Sequence, residues 1–355
     1  MMTEDTRQLV SILLPAYNEE AILENNLAKV IDYLREHGGY RWEIVIINDG
    51  SSDRTAEIAD GCAARYDEVS VVHHRTNRGL GGATKTGIAA AAGDYLIVLD
   101  IDLSYDVAHI GRLLDKLESS GADVILASPY MKGGTIRNVP RLRRILSIAA
   151  NRFLAIVAHG RLSTLTCMVR GYRGDFARAL TLRSTGMDVM PETVYKTMIL
   201  RGRIEQIPAD LDWGDQLKNQ ERKSSMRIFR QILGTLLSGF LFRPFMFFIV
   251  PGALLLLFSI WVNTWMIVHF FDALAVAPDG AVADTVSWAV STAYQQYPHT
   301  FIVGLLSLML SIQLLSLGIL ALQTKSYFEE IFYLGSSLRD VDRPGPGPTG
   351  SQSGL

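Results

Sequence analysis

Residues 42–65, WEIVIINDGSSDRTAEIADGCAAR, contain the pattern that decides the fold class. Residues 42–49 are mostly apolar and β-branched, which predicts a buried strand, and residues 54–65 then show the spacing of a helix. The same alternation of strand and helix recurs in residues 9–36, 69–92 and 95–128. Strands interleaved with helices predict an α/β domain built on a mostly parallel sheet.

Acidic side chains follow three of the predicted strands, at the end where ligands collect in sheets of this kind. Glu19 follows the first strand, Asp49 the second, and Asp100 and Asp102 the fourth. Two adjacent carboxylates repel each other unless a hard cation lies between them, so Asp100 and Asp102 predict a site for Mg²⁺ or Mn²⁺ carrying a diphosphate. Taken alone this Asp-x-Asp motif is weak, because it also occurs in solvated turns and helix caps.

Charge and cysteine content exclude several other functions. The 355 residues include 34 basic and 36 acidic side chains, a formal net charge of −2, and therefore predict no nucleic-acid partner. The 2 cysteines, Cys62 and Cys167, lack metal-ligand spacing and predict neither a disulfide framework nor a zinc site. The glycine-rich residues 77–82 follow the third strand rather than the first and lack full GxGxxG spacing, which disfavours a dinucleotide-dependent hydride transfer.

Two long apolar segments follow the α/β pattern. Residues 245–271 and 300–322 contain no Asp, Glu, Lys or Arg, and each exceeds the roughly 20 helical residues that cross a bilayer core. They predict two transmembrane helices in a lipid bilayer, with a pair of buried core helices as the alternative. Lys and Arg flank the two segments but are absent from residues 272–299, so the positive-inside rule predicts a two-span protein with both termini in the cytoplasm.

The segment before the first span predicts a helix at the membrane interface. In residues 226–242, apolar side chains recur at helical spacing while Arg227 and Arg230 lie off that face; an ordinary amphipathic core helix is the alternative. Spans without Asp, Glu, Lys or Arg argue against a transport pathway and would suit a homo-oligomer. The predicted segments are a cytoplasmic domain at 1–222, a juxtamembrane helix at 223–243, a membrane domain at 244–322, a cytoplasmic juxtamembrane segment at 323–343 and a disordered tail at 344–355.

A basic cluster lies in residues 137–152, RNVPRLRRILSIAANR. The arginines at the start of the predicted helix are Arg141, Arg143 and Arg144. With an apolar flank, such a helix fits a lipid phosphate at a membrane surface, and a solvated basic face is the alternative. Arg170 and Arg173 would join the same anion pocket if the fold brings them near.

Four ordered segments together resemble the family 2 glycosyltransferases of GT-A fold, and specifically the polyprenyl-phosphate (dolichol-phosphate-type) sugar synthases. The segments are SILLPAYNEE (11–20), IINDGSSDRT (46–55), NRGLGGATKTGI (77–88) and AGDYLIVLDIDLS (92–104). The resemblance covers about residues 8–230. With the two C-terminal spans, the chain is similar to bacterial members that attach glucose or a related sugar to undecaprenyl phosphate.

The resemblance implies roles for individual residues. The residues implied in nucleotide binding are Pro15, Ala16, Tyr17, Glu19, Asp49 and Asp100. Asp100 and Asp102 would hold Mg²⁺ or Mn²⁺, and with Arg143 they form the implied catalytic group. The resemblance implies that Arg143 and Ser147 bind the acceptor phosphate and that Arg222 and Lys223 close over the donor diphosphate. Arg137, Arg141 and Arg170 are further candidates for binding these anions. Glu192 stays open between a structural and a catalytic role.

The implied function is transfer of a sugar from a nucleotide diphosphate, with UDP favoured over GDP, to a polyprenyl phosphate at the cytoplasmic face, with inversion. One departure is Ser128-Pro129-Tyr130 in place of the family's Ser-Arg-Tyr, so one phosphate ligand is missing or supplied by Arg137 or Arg170. One alternative is a processive polysaccharide synthase, although its Gln-x-x-Arg-Trp motif is absent. Another is a membrane-tethered nucleotide-sugar-binding or transport component without catalysis.

Overall fold

The computed structural model describes residues 7–37, 39–141, 144–145, 147–149, 151–152, 162–214, 246–278 and 280–341. The chain divides into two compact units, Met1–Phe242 and Arg243–Leu355. The predicted juxtamembrane helix at 223–243, the predicted tail at 344–355, and the site candidates Arg143, Arg222 and Lys223 lie outside the described residues.

A seven-stranded sheet forms the centre of the first unit. The described strands are β1 (Leu9–Ala16), β2 (Arg41–Asn48), β3 (Val69–His73), β4 (Tyr95–Val98), β5 (Val124–Ser128), β6 (Thr135–Arg137), β7 (Arg170–Arg173), β8 (Ile204–Pro208) and β9 (Asp210–Asp212). The order in the sheet is β3-β2-β1-β4-β7-β5-β8, while β6 and β9 form a separate parallel pair. Strand β7 runs antiparallel to both neighbours and the other pairings are parallel, which confirms the predicted fold class.

Helices cover both faces of this sheet. They are α1 (Leu23–Glu36), α2 (Thr55–Arg65), α3 (Gly79–Ala90), α4 (His109–Ser120), α5 (Gly174–Ala179) and α6 (Val189–Ile199). Alternate residues of β1 enter different cores: Ile12 and Leu14 pack in the cluster that includes α1 and α4, and Leu13 packs in the cluster that includes α3 and α6. A strand buried on both faces needs apolar side chains at nearly every position, which explains why Ser11 alone interrupts the apolar LVSILLPA of β1.

The parallel register brings the ends of three strands to one edge of the sheet. Ala16 at the end of β1 pairs with Asn48 at the end of β2, and Leu13 pairs with Val98 at the end of β4. Beyond the strands, the Asp49 N–H donates to the Ala16 carbonyl (2.9 Å) and the Leu99 N–H donates to the Leu13 carbonyl (3.0 Å). The polar residues after β1, β2 and β4 therefore lie along the same carboxyl edge.

Three helices make up the described part of the second unit: α7 (Met246–Ala275), α8 (Val282–Gln296) and α9 (Pro298–Val341). Residues Met246–Ala275 and Pro298–Gly335 are long and apolar enough to cross a membrane by length and composition. Their large apolar side chains are mainly exposed, as with Leu257 (65%) and Leu305 (67%). Exposure of this kind does not fit the alternative of two core helices buried within this chain.

Close packing of α7 on α9 involves small residues and polar contacts to the Gly304 carbonyl. Gly304 of α9 approaches Asn263 of α7, whose Nδ2 donates to the Gly304 carbonyl at 3.1 Å. Gly252 of α7 faces Leu314 and Leu315 in the same way. Glycine at these positions lets two long helices approach closely, as small residues do between transmembrane helices.

Helix α8 lies between the two apolar segments, and the sequence did not predict it. Ala289 and Ala293 of α8 are buried against Phe270 and Leu274 of α7. Small alanines make this contact surface, so the sequence lacks the strong apolar periodicity that would have indicated a packed helix.

Candidate active site

The loops after β1 and β2 are fastened to each other at the carboxyl edge. Asn18 has φ of +57°, a left-handed conformation that asparagine tolerates, and its Oδ1 accepts the Ser52 N–H at 2.9 Å. The Glu19 N–H donates to Thr55 Oγ1 at 2.8 Å. Tyr17 is 47% exposed at this turn. Two further nucleotide-binding candidates, Pro15 and Ala16, are buried within β1.

The Asp-x-Asp segment after β4 is held by its middle residue. Ile101 is buried in the core, and its carbonyl accepts a hydrogen bond from the buried Asn26 side chain at 2.9 Å. The Ser104 N–H donates to Asp102 Oδ1 at 2.9 Å, and Leu103 between them has φ of +50°. Because Ile101 is held in the core, the backbone of the neighbouring Asp100 and Asp102 is held in place as well.

Glu19, Asp100 and Asp102 form a crowded acidic group, which we call the carboxylate rim. Burial, followed by the charges of Asp102 and Glu19, raises the pKa of Asp100 well above its ordinary value. Like charges held together in this way cost free energy unless a cation joins them. The fold therefore brings three acidic side chains close together at the end of β4.

The rim fits a divalent cation only with help from a ligand. No group of three His, Cys, Asp or Glu side chains in the described residues is arranged to hold a metal ion by itself. Mg²⁺ sites that act on phosphates commonly use one or two carboxylates, and substrate oxygens and water complete the coordination. The two aspartates therefore match a cation that binds together with a diphosphate better than a permanently bound structural metal.

Asp49 follows β2 and is nearly buried, at 4% exposed. Its Oδ1 lies 2.6 Å from His74 Nδ1 and accepts the Arg78 N–H at 2.8 Å. On the far side of the ring, His74 Nε2 lies 2.8 Å from Thr86 Oγ1. Neither His74 nor Arg78 was predicted as a site residue. His74 stands at the end of a predicted strand, where the residue type was the only available signal.

The glycine-rich segment begins α3 and contacts residues 184–186. A Cβ on Gly79 would lie 2.5 Å from the Thr185 carbonyl oxygen, and the Gly81 N–H donates to that oxygen at 2.7 Å. This close approach of two backbones explains the glycines. An open pocket beside α3 is lined by Asn77, Arg78, Gly82, Lys85, Thr86, Ala89 and Thr185.

Glu192, whose role the sequence alone does not decide, holds part of the fold together. Its carboxylate accepts the Arg183 and Ser184 N–H groups, each at 2.8 Å, and lies 2.5 Å from Lys196 Nζ. Burial alone would raise the pKa of Glu192, but these hydrogen bonds outweigh burial and lower it. Glu192 thus holds the loop that packs on the glycine-rich segment.

Arg170 requires a correction, because it was expected to bind phosphate. The side chain is fully buried, and its Nε, Nη1 and Nη2 donate to the carbonyls of Cys167 (2.8 Å), Met190 (2.8 Å) and Leu165 (2.7 Å). Its hydrogen-bonding capacity is directed at the backbone, so Arg170 supports the loop before β7 and does not replace the arginine that Pro129 displaces.

A helical segment that contains Arg141, Ser147 and Asn151, which we call the basic helix, is held by buried polar contacts. Asn151, only 1% exposed, donates to the Ser147 carbonyl (3.0 Å) and accepts the Leu165 N–H (2.9 Å). The Ser147 hydroxyl lies 2.6 Å from the Tyr130 hydroxyl, which follows β5. We call Asn151, Arg170, Glu192 and Lys196 the buried polar network, because each holds a loop through buried hydrogen bonds.

The remaining predicted arginines lie in different places. Arg137 is exposed at the end of β6, opposite Asp212 of β9, and the Asp212 N–H donates to the Ser104 carbonyl at 2.9 Å beside the rim. Arg141 is exposed at the start of the basic helix. Arg173 pairs with Tyr95 at the opposite end of β4, so the fold separates it from the rim.

A mostly parallel sheet with an Asp-x-Asp motif at its carboxyl edge defines a protein of the GT-A class. A family model described as "Glycosyl transferase family 2" matches residues 11–180. The undecaprenyl-phosphate mannosyltransferase of Micrococcus luteus is 30% identical over 205 residues, which cover 56% of this chain and 82% of that protein. The chain belongs to glycosyltransferase family 2.

A second relative and a solved structure are also similar to this chain. The dolichol-phosphate mannosyltransferase of Pyrococcus furiosus is 30% identical over 190 residues, which cover 53% of this chain and 52% of that protein. The chain therefore spans about half the length of that relative. A solved structure of glucosyl-3-phosphoglycerate synthase from Mycobacterium tuberculosis, with Mn²⁺, UDP and glucosyl-3-phosphoglycerate, is 20% identical with a TM-score of 0.48 and covers 66% of this chain and 80% of that chain.

Proposed function

We propose that this protein transfers a sugar from a nucleotide diphosphate donor to a polyprenyl phosphate at the cytoplasmic face of a membrane. The observation that carries the proposal is the carboxylate rim, a crowded acidic group at the carboxyl edge of a family 2 glycosyltransferase domain. Relatives named as undecaprenyl-phosphate and dolichol-phosphate mannosyltransferases support the lipid acceptor. A UDP-sugar is the favoured donor, because the chain resembles two-span members that attach glucose or a related sugar.

The donor would lie along the carboxyl edge of β1, β2 and β4. Asp100 and Asp102 would hold a divalent cation, Mg²⁺ or Mn²⁺, which would offset the negative charge of the donor diphosphate. Tyr17 and Glu19 lie on the turn that would border the nucleotide, and Pro15 and Ala16 form the strand end beneath it. Asp49 would accept a hydrogen bond from the base. Arg222 and Lys223 are proposed to close over the diphosphate.

The acceptor phosphate would need charge compensation rather than a general base. A phosphate monoester has a second pKa near 6, so at neutral pH it is largely dianionic and already nucleophilic. Arg143 and Ser147 would hold it, with Arg137 and Arg141 as further cationic candidates. Tyr130, which contacts Ser147, belongs to the segment after β5 and so connects the basic helix to the sheet.

The proposed reaction is one displacement at the anomeric carbon. A phosphate oxygen of the lipid forms the new bond, and the bond between that carbon and the donor diphosphate breaks. The electron pair of that bond leaves with the nucleoside diphosphate. Attack from the face opposite the leaving group inverts the configuration. The protein would contribute positioning and charge compensation, which are the main resources for reactions between anions.

The two apolar helices would keep the domain beside its lipid substrate. In this proposal α7 and α9 cross the bilayer, both termini and the α/β domain lie in the cytoplasm, and homo-oligomers form through the membrane helices. The basic residues that flank the two apolar segments, and the lack of Lys and Arg in residues 272–299, support this orientation.

The test is lipid transfer by the purified full-length chain. Undecaprenyl phosphate would be incubated with radiolabelled UDP- and GDP-sugars and Mg²⁺ or Mn²⁺, followed by extraction into organic solvent. We expect labelled lipid from one donor, and loss of that label in Asp102→Asn. Asp115→Asn is the matched control, because Asp115 is an exposed acid on α4 that is not part of the rim.

Each alternative outcome is informative. Near-native transfer by Asp102→Asn would contradict the assignment of the cation to this aspartate. Nucleotide binding without transfer from any donor would contradict the proposed acceptor and favour a non-catalytic membrane-tethered component. Lipid that carries a growing polymer would instead indicate the processive class of synthase.

A further inference from the structure

A buried chain of three polar side chains runs from β2 to α3. Asp49 and His74 are both nearly sealed from solvent, with side chains 5% and 3% exposed. His74 Nδ1 lies 2.6 Å from Asp49 Oδ1, and its Nε2 lies 2.8 Å from Thr86 Oγ1. The backbone joins them as well, because the His74 N–H donates to the Asn48 carbonyl at 2.9 Å.

The chemistry of the groups assigns the hydrogens. A carboxylate only accepts, so the short contact to Asp49 requires the hydrogen on His74 Nδ1. The Thr86 hydroxyl then donates to Nε2 when the ring is neutral. In this arrangement every polar atom of the ring has a partner, and the orientation of the ring is fixed at both ends.

The same contacts leave one oxygen of Asp49 for a ligand. Oδ1 accepts from His74 and also from the Arg78 N–H at 2.8 Å, and within the described residues the hydrogen bonds to this carboxylate end on Oδ1. Within the described residues, every fully buried side-chain oxygen or nitrogen has a hydrogen-bond partner. Because Oδ2 of Asp49 has none, it is not fully buried and reaches solvent.

We propose that His74 is a positioning residue that holds Asp49 so that Oδ2 alone faces the nucleobase of the donor, and thereby selects bases with a ring N–H. This inference rests on the proposed function. An oxygen that only accepts pairs with N3–H of uracil or N1–H of guanine. Cytosine and adenine present a ring nitrogen lone pair at the corresponding edge, which the carboxylate repels.

The selectivity depends on His74 because Asp49 has two equivalent oxygens. Without the ring, Oδ1 would keep only the Arg78 N–H, so the carboxylate would be held less firmly about its terminal torsion, which is broad for aspartate. The direction of the acceptor would then be less well fixed, and the loss of a charge-assisted hydrogen bond costs about tenfold in binding. The chemical step would be affected little, since His74 contacts Asp49 and Thr86 rather than the rim.

The experiment compares two nearly isosteric substitutions in the full-length chain. His74→Asn keeps an N–H donor at the place of Nδ1, whereas His74→Leu has the same shape without the donor. Dissociation constants for UDP, GDP, CDP and ADP would be measured with Mg²⁺ present, together with kcat and KM for the donor and a melting curve. His73→Leu is the matched control, because His73 contacts Asn48 and Asp60 and not Asp49.

We expect His74→Leu to raise KM for the donor about tenfold with kcat changed less than about threefold, and to narrow the preference for UDP or GDP over CDP and ADP by a similar factor. His74→Asn should retain most of the affinity for the donor and most of the preference for UDP or GDP. His73→Leu should leave the preference unchanged.

The outcomes separate this inference from the proposed function. A wild-type chain that binds neither UDP nor GDP would overturn the proposed function. A wild-type chain that transfers sugar, with the base preference unaltered in a folded His74→Leu variant, would overturn only the positioning role. Equal weakening of all four nucleotides together with a lower Tm would show a purely structural histidine and would also overturn it.

Discussion

The carboxylate rim and the buried polar network belong to the same α/β unit but contain opposite arrangements of charge. In the rim, burial and the neighbouring acids Asp102 and Glu19 disfavour the ionised form of Asp100. In the network, Arg170 donates to three carbonyls, and Glu192 has Lys196 and two N–H groups around it. The rim gives up stability where a ligand would bind, and the network supplies stability where loops must be held.

The largest effect should come from the rim. Asp100→Asn should lower sugar transfer by about 1,000-fold, or roughly 4 kcal/mol, because it removes a proposed cation ligand. The same change removes one of three crowded charges, so we expect the melting temperature to stay equal or to rise. Activity and melting would be measured on the same preparation. A large fall in melting temperature would show that Asp100 belongs with the network instead.

The next effect should be on stability and should come from Arg170. Arg170→Met leaves the carbonyls of Leu165, Cys167 and Met190 buried without their donor, at a cost of about 3 kcal/mol in the free energy of unfolding. Denaturant unfolding of the full chain would measure this. Arg173→Met is the matched control on the same strand, and its partly exposed ion pairs should contribute less than about 1 kcal/mol. Equal losses in the two variants would contradict the role of burial.

These two regions also differ in how far the sequence predicts them. Asp100 and Asp102 follow an apolar strand directly, so local pattern alone places them at the carboxyl edge. In the sequence, Arg170 looks like any arginine that could bind phosphate. Only the folded chain shows that the carbonyls of residues 165, 167 and 190 converge on it. An irregular loop that folds back on Arg170, and a contact 20 residues further along the chain, leave no periodic signal in a single sequence.

The sheet, its parallel strands and its helices could be predicted, because β-branched runs and helical spacing are local properties. Helix α8 could not, since its buried positions Ala289 and Ala293 are small and give little apolar contrast. His74 was missed for a different reason. Its importance comes from Asp49, 25 residues earlier in the chain, and from Thr86 on α3.

The third effect is on the pH dependence of stability, and it should come from Glu192 of the buried polar network. The pKa of Glu192 is lowered in the folded protein, so its ionised form contributes stability above the ordinary value of 4.5, and this contribution is lost as pH falls through the lowered folded value. Glu192→Gln removes the ion-pair partner of Lys196 and should cost about 2 kcal/mol at pH 7. We expect the difference in stability between wild type and variant to shrink below about pH 4.5. A difference that is constant from pH 7 to pH 3 would contradict the assignment.

The smallest effect should come from Asn151, where the network meets the proposed acceptor site. Asn151→Leu has similar volume but loses the hydrogen bonds to the Ser147 carbonyl and the Leu165 N–H, at a cost of about 1.5 kcal/mol. Because these bonds hold the basic helix, KM for polyprenyl phosphate should rise about threefold while KM for the nucleotide sugar stays the same. Steady-state kinetics with each substrate varied in turn would test this split. If both KM values rose together, Asn151 would support the whole domain. The proposed division, in which the rim binds the donor and the network positions the basic helix for the acceptor, would then be wrong.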